Sequence, residues 1–299
     1  MRVLVIGRSG QVARALQDEA LNHPGLSLTC IGRPDLDLES AEAVDHAVLA
    51  ARPDLLVNAA AYTAVDTAER EAERAFAVNC HGARRVAEAA ARHGLPLLHL
   101  STDYVFDGSK QSPYLEDDAT GPLNVYGASK LAGEVSVMSA HPRAVILRTS
   151  WVFSAHGHNF LTTMMRLAHE RQVLKVVSDQ FGNPTAANDL AGAILRIAPR
   201  LARATGKGGI HHYCGDGSTS RFGFADFILA ESKRLGGPCP TLQPIRTPEY
   251  PTPARRPANS SLDTSAFARC FGFSPPSWRA EASRAVAVLL RTSRPPDHP

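Results

Sequence analysis

The first 150 residues alternate short apolar runs with longer amphipathic stretches. The apolar runs span residues 3–6, 26–31, 55–57, 97–100 and 145–147. The stretches between them have helical periodicity, at residues 11–21, 41–52, 67–76, 82–93 and after Asn124. Runs that are almost wholly apolar predict strands buried on both faces, and strands separated by helices pair in parallel. The pattern therefore predicts an α/β fold with a doubly wound parallel sheet, which binds ligands at the carboxyl ends of its strands.

After residue 150 the pattern changes. Residues 159–171, 189–203 and 279–290 predict helices, and residues 173–177 predict a strand. Residues 238–257 contain seven prolines among twenty residues, which predicts a long ordered loop without regular structure. We therefore expect a dinucleotide-binding domain at 1–150, which also receives a segment from about 174–215. A smaller, mixed α/β substrate domain at 151–299 would be interleaved with it.

Composition excludes several classes of protein. The 32 Lys and Arg residues against 29 Asp and Glu give a net charge of +3, which argues against a nucleic-acid partner. The apolar runs are shorter than the roughly 18 to 20 residues needed to cross a bilayer, and no signal-peptide pattern follows the first strand. We therefore expect a cytoplasmic protein with no membrane partner.

Cysteines and histidines give no metal signature. The five cysteines are far apart and odd in number, which favours reduced thiols over a zinc site. The pairs His156 with His158 and His211 with His212 have no cysteine or carboxylate ligand at a matching spacing. We therefore predict no metal site.

A glycine-rich turn joins the first predicted strand to the first predicted helix. It reads Gly7-Arg-Ser-Gly10-Gln-Val-Ala13. Gly7 permits the tight turn, Gly10 lets the backbone approach a pyrophosphate, and the helix N-terminus offers free N–H groups. At this place in a strand–helix–strand unit, the turn predicts a Rossmann-like dinucleotide site that includes Gly7, Gly10, Gln11 and Val12.

The end of the second predicted strand bears on the choice of cofactor. No acidic residue stands there; the strand is followed by Arg33, and Arg8 lies inside the glycine turn. Two guanidinium groups suit a 2′-phosphate, which favours NADPH. Alternatively, Arg33 is a solvated loop residue and Asp35 or Asp37 holds the ribose, which permits NADH. In either case we expect Asp37 and Leu38 to flank the adenine.

A tyrosine and a lysine lie four residues apart on the helix predicted after Asn124. That spacing places Tyr126 and Lys130 on one helix face. Ser101 and Thr102, which follow the strand 97–100, bring hydroxyl groups to the same edge of the sheet. A phenol has an ordinary pKa of about 10, and we expect the adjacent ammonium and a cationic nicotinamide to lower it.

These side chains resemble the catalytic Ser/Thr, Tyr and Lys set of the short-chain dehydrogenase/reductase superfamily, in the extended branch that acts on sugar nucleotides. Further along the chain, six blocks are similar to the dTDP-4-dehydrorhamnose reductase family. They are residues 58–66, 101–108, 122–127, 147–153, 179–185 and 250–260. The resemblance extends from residue 1 to about residue 290.

The resemblance implies reduction of the C4 ketone of dTDP-4-dehydro-L-rhamnose to dTDP-L-rhamnose by NAD(P)H. Tyr126 would protonate the C4 oxygen, Lys130 would hold the nicotinamide ribose and tune the phenol, and Thr102 would align the carbonyl. Asp103 would lie near the sugar, and Trp151 would pack on the sugar ring or anchor a domain interface. Three further residues would line the cofactor and sugar pocket, namely Ala61, Tyr62 and Thr63.

Two assignments implied by the resemblance stay open. Arg256, in the proline-rich segment, would either face the substrate diphosphate or pin the loop. Some family members dimerise through magnesium held by acidic residues near the first helix, but residues 13–17 contain no carboxylate. A magnesium-bridged dimer is therefore doubtful, which leaves a monomer or another homodimer.

Two other functions are compatible with the same sequence. One is reduction of a different 4-keto-6-deoxy sugar nucleotide, because the catalytic residues determine the reaction but not the stereochemistry of the sugar. The other is a non-catalytic regulatory subunit of the methionine adenosyltransferase type. Retention of Thr102, Tyr126, Lys130 and Trp151 favours the enzyme over the regulatory subunit.

Overall fold

The computed structural model describes residues 1–203 and 208–292. Residues 204–207, in the segment 174–215 predicted to join the dinucleotide-binding domain, and residues 293–299, in the predicted substrate domain, lie outside this description. The described strands are β1 (Arg2–Ile6), β2 (Ser27–Ile31), β3 (Leu55–Asn58), β4 (Leu97–Thr102), β5 (Val145–Thr149), β6 (Val152–Phe153), β7 (Val173–Val177), β8 (Phe181–Gly182), β9 (Thr185–Ala186), β10 (Gly209–His212), β11 (Thr219–Ser220) and β12 (Thr241–Ile245).

Helices separate most of these strands. They are α1 (Gln11–Ala20), α2 (Ala41–Ala51), α3 (Val65–Ala68), α4 (Ala72–Phe76), α5 (Ala83–Arg92), α6 (Val125–Ala140), α7 (Phe160–Glu170), α8 (Ala187–Ala202), α9 (Arg221–Arg234), α10 (Ser265–Phe271) and α11 (Trp278–Thr292). A π-helical segment, Ala77–Gly82, joins α4 to α5. The single helix predicted over 67–76 is therefore divided, because the chain leaves helical geometry between α3 and α4.

Six of the strands form the central sheet, in the order β10-β5-β4-β3-β1-β2. Every neighbouring pair in it is parallel. Successive side chains of β1 enter two different cores, Val3 and Val5 on the face covered by α1 and α8, and Leu4 and Ile6 on the face covered by α2, α5 and α6. Burial on both faces explains why the strands lack a polar face, and the predicted doubly wound sheet is confirmed.

A third apolar cluster lies beyond the central sheet. It packs α7, α9 and α11 together around Phe224 and Trp278, whose ring centroids are 5.3 Å apart. Strands β7 and β12 form a separate parallel pair beside these helices. No helix in the described ranges has both the length and the apolar content needed to span a bilayer.

Strand β12 corrects the expectation that residues 238–257 contain no regular structure. Thr241 donates its N–H to the carbonyl of Gln172, and Pro244 aligns with Val176 of β7. In a parallel ladder, alternate residues of a strand bond to the same neighbour, so Pro244 faces away from β7. A proline is tolerated there because an edge strand has no partner for that missing N–H.

Asn124 positions the helix on which Tyr126 and Lys130 lie. Its side-chain oxygen accepts from the N–H of Gly127 at 2.8 Å, which caps α6. Its amide nitrogen donates to the carbonyl of Arg255 at 2.8 Å, which ties the proline-rich segment to the same point. Asn124 thus determines where α6 begins and which face its tyrosine and lysine share.

Candidate active site

Two adjoining cavities lie along the carboxyl edge of the central sheet. The first, of about 300 Å³, is bounded by the glycine turn, and we call it the turn cavity. The second, of about 410 Å³, contains Tyr126 and Lys130, and we call it the tyrosine cavity. Gly10, Ala59 and Ala61 line both of them. A single elongated ligand can therefore occupy both cavities.

Most of the predicted site residues line these cavities. The turn cavity is lined by Gly7, Gly10, Arg33, Leu38, Ala61 and Tyr62. The tyrosine cavity is lined by Gly10, Gln11, Val12, Ala61, Thr63, Thr102, Asp103, Tyr126, Lys130 and Trp151. Two predicted residues, Asp37 and Arg256, lie outside both linings.

The glycine turn has the shape that a pyrophosphate requires. Gly7 adopts φ +131°, and a Cβ there would lie 3.2 Å from the carbonyl carbon of Ala59, so the turn packs directly against the next loop. A Cβ at Gly10 would meet nothing within 4 Å, because Gly10 borders open space. No side chain caps α1, which leaves its first N–H groups available to an anion. A dinucleotide fits this cradle.

The arginines beside the turn are paired with carboxylates. Arg8 contacts Asp35, and Arg33 lies 3.4 Å from Glu39 and 3.9 Å from Asp37. These side chains are about half exposed, so their pairs are weak and easily exchanged for another anion. Arg74, which sequence reasoning missed, also lines the turn cavity.

Tyr126 is partly buried and lines the tyrosine cavity together with Thr102. Burial raises the pKa of the Tyr126 phenol, while its hydrogen bond with Thr102 lowers that pKa less strongly. This direction is opposite to the lowering expected from Lys130. The reason is that burial opposes the charged phenolate more than its neighbours favour it. The phenol is consequently held in its neutral form, which is the form that donates a proton.

Lys130 lies one turn further along α6. Its Nζ donates to the carbonyl of Leu100 at 2.6 Å and lies 3.4 Å from Nε2 of His99. Burial lowers the pKa of Lys130 to about 8, although the carboxylate of Glu134 raises it in part. The ammonium therefore titrates much closer to neutral pH than an ordinary lysine does.

Asp103 adds a buried carboxyl group to the same cavity. Its Oδ1 accepts from the Thr102 hydroxyl at 3.0 Å. Its Oδ2 has no partner at hydrogen-bond distance within the described part of the chain. Burial raises the pKa of Asp103 to about 6, against weaker lowering by Ser260, Thr102 and Arg221. Asp103 thus brings to the cavity lining a carboxyl group that titrates near pH 6.

Arg221 is a cavity residue that sequence reasoning missed. It is the first residue of α9, whose N-cap is Ser220, and its Cζ lies 3.5 Å from the centroid of the Trp151 ring. Gly182 also lies against that indole, and a Cβ there would lie 2.5 Å from the ring. A serine before a helical run predicts where a helix begins, but it does not show which cavity the next side chain enters.

Arg256 forms its hydrogen bonds with residues that lie outside the cavities. Both of its terminal nitrogens contact the Asp66 carboxylate, at 2.9 and 2.7 Å, and one also donates to Thr252 and to the carbonyl of Ala254. Of the two roles that the sequence left open, this geometry corresponds to pinning the loop. The pin joins the proline-rich segment to α3, across 190 residues of sequence.

Acidic, cysteine and histidine side chains form no metal-binding group in the described ranges, where no three of them lie close enough to hold an ion. The tyrosine cavity presents a phenol from Tyr126, an ammonium from Lys130 and hydroxyl groups from Ser101 and Thr102.

Comparison with known proteins gives consistent matches over the whole chain. The family model described as "RmlD substrate binding domain" matches residues 1–291. The dTDP-4-dehydrorhamnose reductase of Sinorhizobium fredii is 46% identical, over 97% of this chain and 98% of its own length. That of Escherichia coli K12 is 39% identical, over 98% of this chain and 99% of its own.

A solved structure agrees with these matches. The crystal structure of dTDP-4-dehydrorhamnose reductase from Bacillus anthracis in complex with NADP superposes with a TM-score of 0.88. It is 36% identical in sequence, with 96% of this chain and 99% of that chain covered. The chain therefore belongs to the RmlD substrate-binding domain family and, within it, to the dTDP-4-dehydrorhamnose reductases.

Proposed function

We propose that this chain uses NADPH to reduce the C4 ketone of dTDP-4-dehydro-L-rhamnose, giving dTDP-L-rhamnose. One observation carries the proposal. Tyr126, Lys130 and Thr102 converge in a cavity that continues into a dinucleotide cradle, in a member of this reductase family. A proton donor beside a hydride donor is what reduction of a ketone requires.

The turn cavity is the proposed cofactor site. Gly7, Gly10, Gln11 and Val12 would hold the pyrophosphate at the N-terminus of α1. Arg8 and Arg33 would exchange their exposed carboxylate partners for the 2′-phosphate, which favours NADPH over NADH. The bound nicotinamide supplies the hydride.

Other predicted residues complete the cofactor site. Ala61, Tyr62 and Thr63 lie where the cofactor passes from one cavity to the other. Leu38 and Asp37 would flank the adenine, Leu38 from within the turn cavity and Asp37 from its exposed rim.

The tyrosine cavity is the proposed site of proton transfer. Tyr126 would donate the phenolic proton to the C4 oxygen, and Thr102 would align that carbonyl by a hydrogen bond. Lys130 would hold the nicotinamide ribose and favour the phenolate that forms as the proton leaves. Holding sugar and cofactor together in one cavity would contribute much of the remaining acceleration.

The sugar nucleotide would occupy the rest of the same cavity. Asp103 and Trp151 line this cavity and would contact the sugar ring. Arg221, stacked on the indole of Trp151, is the cation available to the diphosphate inside the cavity. Arg256 would support the site from outside, by holding the proline-rich segment on Asp66.

The organisation of the chain is part of the proposal. Residues 1–150, with the segment 174–215, would form the cofactor domain, and the rest of 151–299 the substrate domain. The five cysteines are unpaired, which fits work in the reducing cytoplasm. Light scattering of the purified protein would decide between a monomer and a homodimer.

The test is NADPH oxidation in the presence of dTDP-4-dehydro-L-rhamnose, with product identification by NMR. We expect oxidation only when the sugar nucleotide is present, and dTDP-L-rhamnose as the product. Parallel reactions with other 4-keto-6-deoxy sugar nucleotides test the specificity for the sugar, and reactions with NADH test the specificity for the cofactor. Faster turnover of another sugar would replace the proposed substrate. No turnover with any of them would favour the non-catalytic regulatory subunit.

A further inference from the structure

A buried ion pair lies behind the tyrosine cavity and outside its lining. The guanidinium of Arg148, on β5, binds the carboxylate of Glu134, on α6, through two contacts of 2.9 and 2.7 Å. The two side chains are 2% and 3% exposed. Charges removed from water to this degree are costly unless they are fully paired. Keeping both charges paired therefore restricts α6 to one position relative to β5.

Glu134 lies on the same face of α6 as Tyr126 and Lys130. Tyr126, Lys130 and Glu134 are spaced at four-residue intervals, so they share one face of α6. On β4, His99 and Ser101 face that side of the helix and contact Lys130 and Glu134 respectively. These contacts therefore join one face of α6 to one face of β4.

The carboxylate is rigidly held. Glu134 Oε1 accepts from the Ser101 hydroxyl at 2.5 Å as well as from Arg148 Nε, and Oε2 accepts from Arg148 Nη2. Arg148 is itself held by the carbonyl of Glu116 at 3.3 Å. Three hydrogen bonds, one from Ser101 and two from Arg148, thus fix the position of the Glu134 carboxylate. A fixed negative charge thus sits one helical turn from the Lys130 ammonium.

We propose that Glu134 is a positioning residue that keeps Lys130 protonated, and that Arg148 holds Glu134 in place for this purpose. The inference rests on the proposed function, in which Lys130 acts as a cation beside the cofactor ribose and the phenol. Neither Glu134 nor Arg148 lines the tyrosine cavity, so each acts through Lys130.

The other charged and titratable groups around Lys130 do not replace Glu134. His99, from β4, is fully buried, and burial together with the Lys130 charge holds the pKa of that imidazole well below its ordinary value. Tyr126 is neutral, and the carboxyl group of Asp103 is half protonated near pH 6. Glu134 is consequently the carboxylate that raises the pKa of Lys130 against the lowering caused by burial, which leaves that pKa at about 8.

The test removes both charges of the buried pair in the variant E134Q/R148M. Removing both avoids the unpaired buried arginine that E134Q alone would leave. Without the carboxylate, the pKa of Lys130 falls, so the ammonium is lost at lower pH. We expect the alkaline limb of the pH profile of kcat/KM to move down by about one unit. The alkaline limb of NADPH binding should move with it.

Two controls separate this effect from a structural one. The variant R148K keeps the Glu134 charge while disturbing the packing, so its alkaline limb should stay where the wild type has it. The variant R84M/E88Q makes the same chemical changes in an exposed pair on α5. It should leave the profile unchanged, because that pair is solvated.

An alkaline limb that stays in place in folded E134Q/R148M would overturn the inference. Circular dichroism and thermal unfolding establish that the variant is folded; if it is not, E134Q/R148Q, whose two amides can bond to each other, carries the same test. A wild-type protein without turnover would contradict the proposed function instead. In that case the pH dependence of NADPH binding still tests Glu134.

Discussion

The guanidinium of Arg221 stacks on the indole of Trp151, with its Cζ 3.5 Å from the ring centroid. The two residues lie 70 positions apart, and Trp151 adopts a left-handed backbone conformation with φ +45°. Such a conformation is costly for a residue with a large side chain, so the surrounding structure must hold it. The stacked pair forms one wall of the tyrosine cavity and places a partly buried cation there.

Replacing Arg221 with methionine should weaken binding of the sugar nucleotide. A hydrogen bond to a charged group is worth about 1.5 to 3 kcal/mol, so KM should rise roughly 10- to 100-fold. NADPH affinity should change little. Lysine at the same position keeps the charge but loses the planar stacking, and an intermediate KM is expected. Steady-state kinetics would contradict the assignment if KM for the sugar nucleotide were unchanged in Arg221→Met.

Replacing Tyr126 with phenylalanine should remove the proton donor and leave the cavity otherwise intact. We expect kcat to fall by about 10² to 10⁴, the usual contribution of a general acid. NADPH affinity, measured by fluorescence titration, should stay within a few-fold of the wild type. Turnover at the wild-type rate in this variant would show that another group protonates the substrate.

Gly10 offers a test of the dinucleotide cradle that is separable from folding. A Cβ at Gly10 meets nothing within 4 Å, so Gly10→Ala should unfold at the wild-type temperature. The added methyl group would occupy space where the pyrophosphate must approach, and NADPH should bind at least about tenfold more weakly. Gly25→Ala is the matched control, since it also has open space but lies outside the cavities. Equal NADPH affinity in both variants would argue against the cradle.

Asp103 should make stability depend on pH. Its pKa is about 6 in the folded protein, against about 3.9 in an unfolded chain, so between these values the folded state binds more protons. Its contribution therefore decreases stability as pH rises from about 4 to 6, by an amount on the order of 3 kcal/mol. The neutral variant Asp103→Asn does not lose this stability as the pH rises.

The measurement for Asp103 is the free energy of unfolding in urea at pH 4.5 and at pH 7. Asp103→Asn should gain stability over the wild type at pH 7, and most of that difference should disappear at pH 4.5. Glu116 and Asp189, whose carboxyl groups also have raised pKa values, are present in both proteins and cancel in the comparison. A difference that is the same at both pH values would contradict the assigned pKa.

The pair of Arg256 and Asp66 distinguishes a loop pin from a substrate contact. Both side chains are partly exposed, so their coupling energy in a double-mutant cycle should be about 1 kcal/mol. If Arg256 only pins the loop, Arg256→Met and Asp66→Asn should raise KM for the sugar nucleotide by similar small factors. A much larger rise in Arg256→Met alone would show that the guanidinium leaves Asp66 to bind the diphosphate.

Much of the central fold could be predicted from the periodicity of the apolar residues. Strands buried on both faces, such as 3–6 and 55–57, are apolar because both sides face helices, and that burial is visible in the sequence. The strand at Thr241–Ile245 was not predictable in this way. Prolines usually exclude a strand. Pro244 is tolerated because it is not one of the alternate residues of β12 that bond to β7, and this is known only once β7 lies beside β12.

The residues of the candidate site also fall into those that the sequence predicted and those that it did not. Tyr126 and Lys130 are four residues apart on one helix, and the residues of the glycine turn are consecutive. Local geometry therefore places the members of each motif together, and both motifs can be recognised in the sequence. Arg221, on α9, and Arg148, on β5, come from elements other than the helix that contains Tyr126 and Lys130. A lone arginine or glutamate has no local pattern that distinguishes a surface residue from one buried in a cavity.

The sequence by itself thus determined the sheet, the dinucleotide turn and the tyrosine–lysine pair, because each depends on spacing along one strand, turn or helix. The tertiary structure alone decided that Arg256 binds Asp66, that Arg221 stacks on Trp151, and that burial raises the pKa of Tyr126. The physical reason is that pairing and desolvation depend on which groups are close in space. Distant parts of the chain become neighbours only when the fold is complete.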